Sequence, residues 1–117
     1  MILNCTLFRV LDNSNATFAK CFNMSSKSLT DLPIFVSIKR TKTKGKLNKG
    51  DICKAIIIRN KKKYSRYIGN FLSFDFNDIV LLDMKNDMLG TRIFGLIPLE
   101  LRKKKYLKLL SLSSHFI

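Results

Sequence analysis

The sequence predicts an all-β fold, a small barrel of five or six short strands, with helix only near the end of the chain. Three observations carry this. Ile34, Val36 and Ile38 alternate with Phe35, Ser37 and Lys39, the period of two expected of a strand with one buried face. Clusters of Asn, Asp, Gly and Ser separate the apolar stretches at regular intervals. A set of strands this short is best served by closure, which leaves no exposed edge.

Each element has its own reason. Residues 5–10 (Cys-Thr-Leu-Phe-Arg-Val) form the first predicted strand. Asp12-Asn13-Ser14-Asn15 ends it, because Asn and Asp tolerate the left-handed backbone angles of a tight turn. The second strand covers 16–23, with Ala19 and Cys21 on one side and Phe18, Lys20 and Phe22 on the other. Residues 24–32 read as a loop, and Pro33 opens a strand over 34–40. A basic hairpin tip then runs from Arg40 to Gly50, where Gly45 and Gly50 permit the bends and no acid appears before Asp51. Residues 52–59 make the strongest strand, apolar on both faces at its centre. Gly69-Asn70, between Tyr67-Ile68 and Phe71-Leu72, has the form of a two-residue hairpin. Another strand is predicted over 79–84, with a turn at Asn86-Asp87 and Gly90. Pro98 suits a first helical turn continued by Leu99–Arg102, and a second short turn is expected over 105–110. Phe74 and Phe94 are assigned to the core.

With 117 residues there is room for one domain, expected over 1–117 with its helical segment at about 97–112. Charge narrows the function. Twenty-two Lys and Arg face eight Asp and Glu, a formal net charge of +14. Such an excess opposes compaction unless a polyanion neutralises it, and nucleic acid or an anionic membrane surface would serve. The longest apolar runs, Ala55–Ile58 and Ile79–Leu82, fall far short of the ~20 residues a membrane-spanning helix needs. Tyr106-Leu107-Lys108-Leu109-Leu110 is too short an apolar face to hold the chain on a membrane surface. Met1–Cys5 has neither the basic and apolar regions of a signal peptide nor an Arg-rich transit start, so folded structure is expected to begin at once.

Cys5, Cys21 and Cys53 contain no Cys-x-x-Cys pair and are assigned to the core or its margin in a reducing compartment. Lys outnumbers Arg 16 to 6, and Ile, Asn and Phe are abundant while Ala and Pro are scarce. That skew follows AT-rich codons and suggests a gene carried by an organelle.

Catalysis finds little support. The sole histidine, His115, lies at the end of the chain, and no nucleophile triad or Gly-rich phosphate loop occurs. Asp75 and Asp78 could be imagined as metal ligands, but a hairpin-capping role is the better reading. No enzyme activity, cofactor or metal is predicted. The lysines of the tip and Lys61-Lys62-Lys63 suit contacts to phosphates, and their number exceeds any supply of acids to pair with them. Lysine's point charge neutralises phosphate without reading bases. Tyr64, Tyr67 and Phe71 interleave with Lys61–Lys63 and Arg66, where aromatics can stack on bases or line the barrel wall.

Gly90-Thr91-Arg92-Ile93-Phe94-Gly95, followed by Glu100-Leu101-Arg102 and Lys108, resembles the family of the universal fourteenth protein of the large ribosomal subunit. Val10-Leu11-Asp12-Asn13-Ser14, the stretch Lys49–Arg59, and Phe74, Asn77 and Val80-Leu81 downstream of Gly69 fit the same family in the same order. The resemblance implies a five-stranded β-barrel with a protruding basic hairpin and short C-terminal helical turns. It also implies binding to large-subunit rRNA and neighbouring ribosomal proteins, and a place at the subunit interface in a bridge to small-subunit rRNA. With the basic segments, the residues assigned to rRNA binding are Arg9, Asn13, Lys20, Lys39, Arg40, Lys42, Lys44, Lys46, Lys49, Lys54, Arg59, Lys61, Lys62, Lys63 and Arg66. Thr91, Arg92, Arg102 and Lys108 are assigned to the subunit interface, where a factor that silences ribosomes by blocking subunit joining can dock in this family. Departures from the family pattern are Asn15 in place of a turn glycine, a short and weakly basic 24–32, Pro98, and the tail 113–117. The expected location is the mitochondrial ribosome, with the plastid as alternative. A free-standing RNA-binding barrel, exchanging on and off ribosomes, is the competing function.

Overall fold

The computed structural model describes residues 5–23, 33–66, 69–102 and 107–117. Five strands close into a barrel: β1 (Leu7–Val10), β2 (Ala16–Asn23), β3 (Ile34–Thr41), β4 (Ile52–Arg59) and, after a small antiparallel pair β5 (Tyr64–Ser65) and β6 (Phe71–Leu72), β7 (Asp78–Leu82). Successive barrel neighbours are antiparallel except at the seam, where β1 runs parallel to β7 with Arg9 beside Asp78 and Val10 beside Ile79. β-Bulges along β2–β3 supply the bending that closure of so few strands demands.

Alternation fills the barrel. Phe8, Ala19, Cys21, Val36, Ile38, Ala55, Ile79 and Leu81 all point inward and are inaccessible to solvent. β4 and β7 are also buried on their outer face, where Ile56, Ile58, Val80 and Leu82 meet a second apolar layer of Ile93, Ile97, Leu101 and Leu109. This is why Ile56-Ile57-Ile58 and Ile79–Leu82 read as unbroken apolar runs: each side of the strand has a separate core to face. Fully burying one such side chain contributes roughly 1.5–3 kcal/mol.

The outer layer is the C-terminal segment. β8 (Ile93–Ile97) leads through Pro98 into a 3₁₀ turn at Leu99–Arg102, then α1 (Leu107–Leu112) and β9 (Ser113–Phe116), which returns to pair in parallel with β8. No helix among the described residues is long and apolar enough to cross a membrane.

Several local expectations need correction. The first strand starts at Leu7, because Cys5 has a left-handed φ of 68° that an extended strand cannot hold. Cys5 is exposed, while Cys21 and Cys53 are buried. The strand predicted over 79–84 ends at Leu82, since Asp83 begins a turn whose carboxylate accepts from the backbone N–H of Lys85 and Asp87. Asn86 supplies the left-handed residue of that turn, with φ 65°. By contrast, none of Asp12–Asn15 is left-handed. β5 and β6 are joined by five residues, not two, with Arg66 N–H donating to Asn70. Phe94 is 56% exposed rather than core, because β8 turns it away from the outer layer that Ile93 and Ile97 enter. The loop expected at 24–32 lies outside the described residues.

Candidate nucleic-acid interface

The basic tip is organised by one side chain from outside it. Asn15 ends the β1–β2 turn, and its amide donates to the carbonyls of Leu47 (2.6 Å) and Thr43 (3.2 Å) while its carbonyl accepts from Leu47 N–H. Gly45 lies so near that a Cβ there would come within 2.9 Å of Asn15 Cγ. The backbone adds Lys42 N–H to the Asn15 carbonyl at 2.7 Å. Asn15 thus braces the loop. Lys42, Lys44, Lys46 and Lys49 stand on it exposed, and Lys39 and Arg40 continue the positive surface down β3, Arg40 lying 5.8 Å from the Phe18 ring centroid. Lys20 projects outward from β2. Lys54 is more confined: it lies over Phe35, and its Nζ is 3.4 Å from both the Met84 carbonyl and Asn86 Oδ1.

A second basic group follows β4. Asn77 and Asn60 accept from the N–H groups of Lys61 and Lys62 and shape the chain into a turn. Lys61, Lys62 and Lys63 are exposed, with Lys63 5.0 Å from the Phe71 ring centroid. Phe71 is 63% exposed, so it does not line the barrel wall. The side chain of Tyr64, and Tyr67 altogether, lie outside the described residues. Arg66 reaches the carbonyl of Ile117 at 2.7 Å and ties this hairpin to the end of the chain.

Arg9 and Arg59 are arranged otherwise. Both converge on Asp78, which is wholly buried at the barrel seam. Arg9 donates to both carboxylate oxygens, at 2.8 and 3.0 Å. Arg59 Nε lies 2.9 Å from Oδ2, an ion-pair distance without the alignment of a hydrogen bond. A buried carboxylate is tolerated only when paired, and here two cations compensate one anion. The hydrogen bond to Asp78 holds Arg9 more firmly charged, whereas burial lowers the Arg59 pKa against the pull of Asp78. Asp78 therefore orients two arginines instead of capping a hairpin or binding metal.

The third group joins two distant parts of the sequence. Asn13 Nδ2 donates to Thr91 Oγ1, and its Oδ1 accepts from the N–H of Thr91 (2.8 Å) and Arg92 (3.3 Å). Gly90 is needed for this approach, since a Cβ would fall 2.7 Å from Asp12 Cβ. Asp12 is buried, its carboxylate accepting from Ser14 N–H, Ser14 hydroxyl and Leu81 N–H. Burial raises its pKa, partly opposed by those hydrogen bonds. Thr91 and Arg92 remain exposed on the rim so formed. Lys108, on α1, makes an exposed 3.6 Å pair with Asp87, and Arg102 sits in the 3₁₀ turn.

Asn13 and the pair Arg9–Arg59 are thus engaged within the fold, while the lysines of the tip and of 61–63 face solvent. The roles of Asn15 and Asp78 carried no local sequence signal, for Leu47, Arg59 and Arg9 lie some twenty to seventy residues away, and the turn read at Asp12 accounts for its bonds from Ser14 but not for the one from Leu81 N–H. Val10–Ser14 and Gly90–Gly95, far apart in the sequence, prove to be one contact.

The family model for ribosomal protein L14p/L23e matches residues 1–117. A closed five-stranded barrel with a basic hairpin and short C-terminal helical turns accords with that match. The chain belongs to the ribosomal protein L14p/L23e family, and is a structural protein of the large ribosomal subunit rather than an enzyme.

Proposed function

We propose that this chain, as one domain over 1–117, binds large-subunit rRNA through Lys42, Lys44, Lys46 and Lys49 of the hairpin tip together with Lys61, Lys62 and Lys63. The observation that supports this most is the exposure of both lysine groups in a chain of net charge +14. Neutralisation by phosphate would relieve that repulsion. Lys20, Lys39, Arg40, Lys54 and Arg66 extend the same surface, and Arg9, Asn13 and Arg59 contribute from the seam and rim.

The rim bearing Thr91 and Arg92, with Arg102 and Lys108 of the C-terminal turns, faces the small subunit and takes part in a bridge to its rRNA. A silencing factor would dock there. The ribosome is organellar, in keeping with the AT-rich residue usage, and mitochondrial in preference to plastid, in keeping with the departures from the family pattern at Asn15, 24–32, Pro98 and 113–117.

Sedimentation of organelle lysate through a gradient containing about 0.5 M salt, where exposed phosphate contacts are strongly weakened, tests this with the protein followed by mass spectrometry. Co-migration with the large subunit at one copy per particle is expected, and the organelle used names the ribosome. Release to the top of the gradient from an otherwise intact subunit would favour the exchangeable RNA-binding barrel.

A further inference from the structure

We infer that the pocket at the barrel seam is a binding site for one unpaired guanine base of RNA. The inference rests on the RNA-binding reading and deepens it. The pocket, about 310 Å³, is walled by Arg9, Arg59, Phe74, Asp75, Phe76 and Asp78. Its walls adjoin the turn that carries Lys61–Lys63, since Asn60 and Asn77, which shape that turn, also accept from the backbone N–H of Phe74 and Arg9.

Its chemistry suits a base better than a phosphate. The two guanidiniums are fixed by Asp78, and each lies against an aromatic ring: Arg9 is 4.2 Å from the Phe76 centroid and Arg59 5.8 Å from that of Phe74. Phe76 is 52% exposed, which leaves ring surface for a base to stack upon. Asp75 is exposed on the wall and makes no hydrogen bond or ion pair among the described residues. With Asp78 it cancels the charge of both arginines, so a phosphate gains little here and meets a free carboxylate. A planar base gains from every wall.

Guanine fits best. Its Watson–Crick edge offers two adjacent N–H donors, N1 and N2, which one carboxylate can accept together, and its O6 and N7 accept from arginine. Adenine, cytosine and uracil lack the paired donors. A base held in a duplex could not enter, so the nucleotide must come from a loop, bulge or single strand, where sequence-specific RNA recognition usually occurs.

The test titrates the full chain with short oligouridylates carrying one central guanosine or one central adenosine, following backbone amides by NMR. The guanosine RNA is expected to bind about tenfold more tightly and to shift the amides of Asp75 and Phe76. Asp75→Asn, which removes no contact that holds the fold, should bring the ratio close to one. Equal affinities with shifts confined to the hairpin tip would overturn the pocket while leaving the RNA-binding reading intact. Failure to bind either RNA would overturn both.

Discussion

At the scale of single residues, the buried acids carry most of the consequence. Asp78 offsets two arginines, so its removal leaves partly buried cations without an anion. Asp78→Ala is expected to cost about 3–5 kcal/mol, read as a lowered urea midpoint. Asp12 acts in the opposite sense. Burial raises its folded-state pKa above the ordinary 3.8, so on the way up in pH the unfolded chain releases its proton first. Stability therefore falls as pH rises from about 3.8 toward the raised folded value, and stays at the lower level above it. Asp12→Asn should remove that downward slope from a stability–pH profile. It should also lower stability by about 1–3 kcal/mol, because its amide turns a donor toward the donors of Ser14 or Leu81. None of this was legible in the sequence. An Asp in a turn cluster looks like any solvated turn residue until the strand that covers it, 69 residues away, is in place.

At the scale of elements, the hairpin tip depends on the turn it leans against. Asn15→Ala would remove three hydrogen bonds, of which the one to Leu47 N–H is the best reporter. We expect a loss of about 1 kcal/mol or somewhat more and faster hydrogen exchange at the Leu47 amide, with the barrel strands unchanged. The strands themselves were the most legible part of the chain. β2 and β4 match their expected bounds, because alternation and β-branched runs report burial locally. The parallel pairing of β8 with β9 was not legible. Its residues show no clean period of two, since β8 buries only its two ends and β9 owes its place to α1 returning the chain. Phe94 looked apolar enough for the core, but hydrophobicity alone says nothing of which way a short strand faces.

At the scale of the whole molecule, the distribution of charge governs binding. Each phosphate contact made by a lysine contributes roughly 0.7–0.9 to the slope of log affinity against log salt. Replacing Lys42, Lys44, Lys46 and Lys49 together by Gln should flatten that slope by about 3 for an rRNA fragment. Thermal stability at moderate salt should hold or improve as the self-repulsion falls. An unchanged slope would exclude the tip from phosphate contact. The charge excess was plain from composition, and the lysine-rich tip from its glycines. What composition could not separate was the lysines that face solvent from the arginines that the fold engages, because pairing with Asp78 is a property of the closed barrel.

The seam between β1 and β7 also sets the order in which this protein can be made. Arg9 and Asp78 are 69 residues apart, and nothing earlier in the sequence replaces β7 as the partner of β1 on that side. A growing chain can form the β1–β2 and β2–β3 ladders as they appear, but its first strand keeps an open edge until most of the polypeptide has left the synthesising ribosome. Long-range closure of this kind is slow, and an unpaired edge invites aggregation while it lasts. The parallel seam is thus the last ladder of the barrel to form, ahead only of the C-terminal layer that packs over β4 and β7, and the newborn chain's most vulnerable interval is the one before β7 arrives.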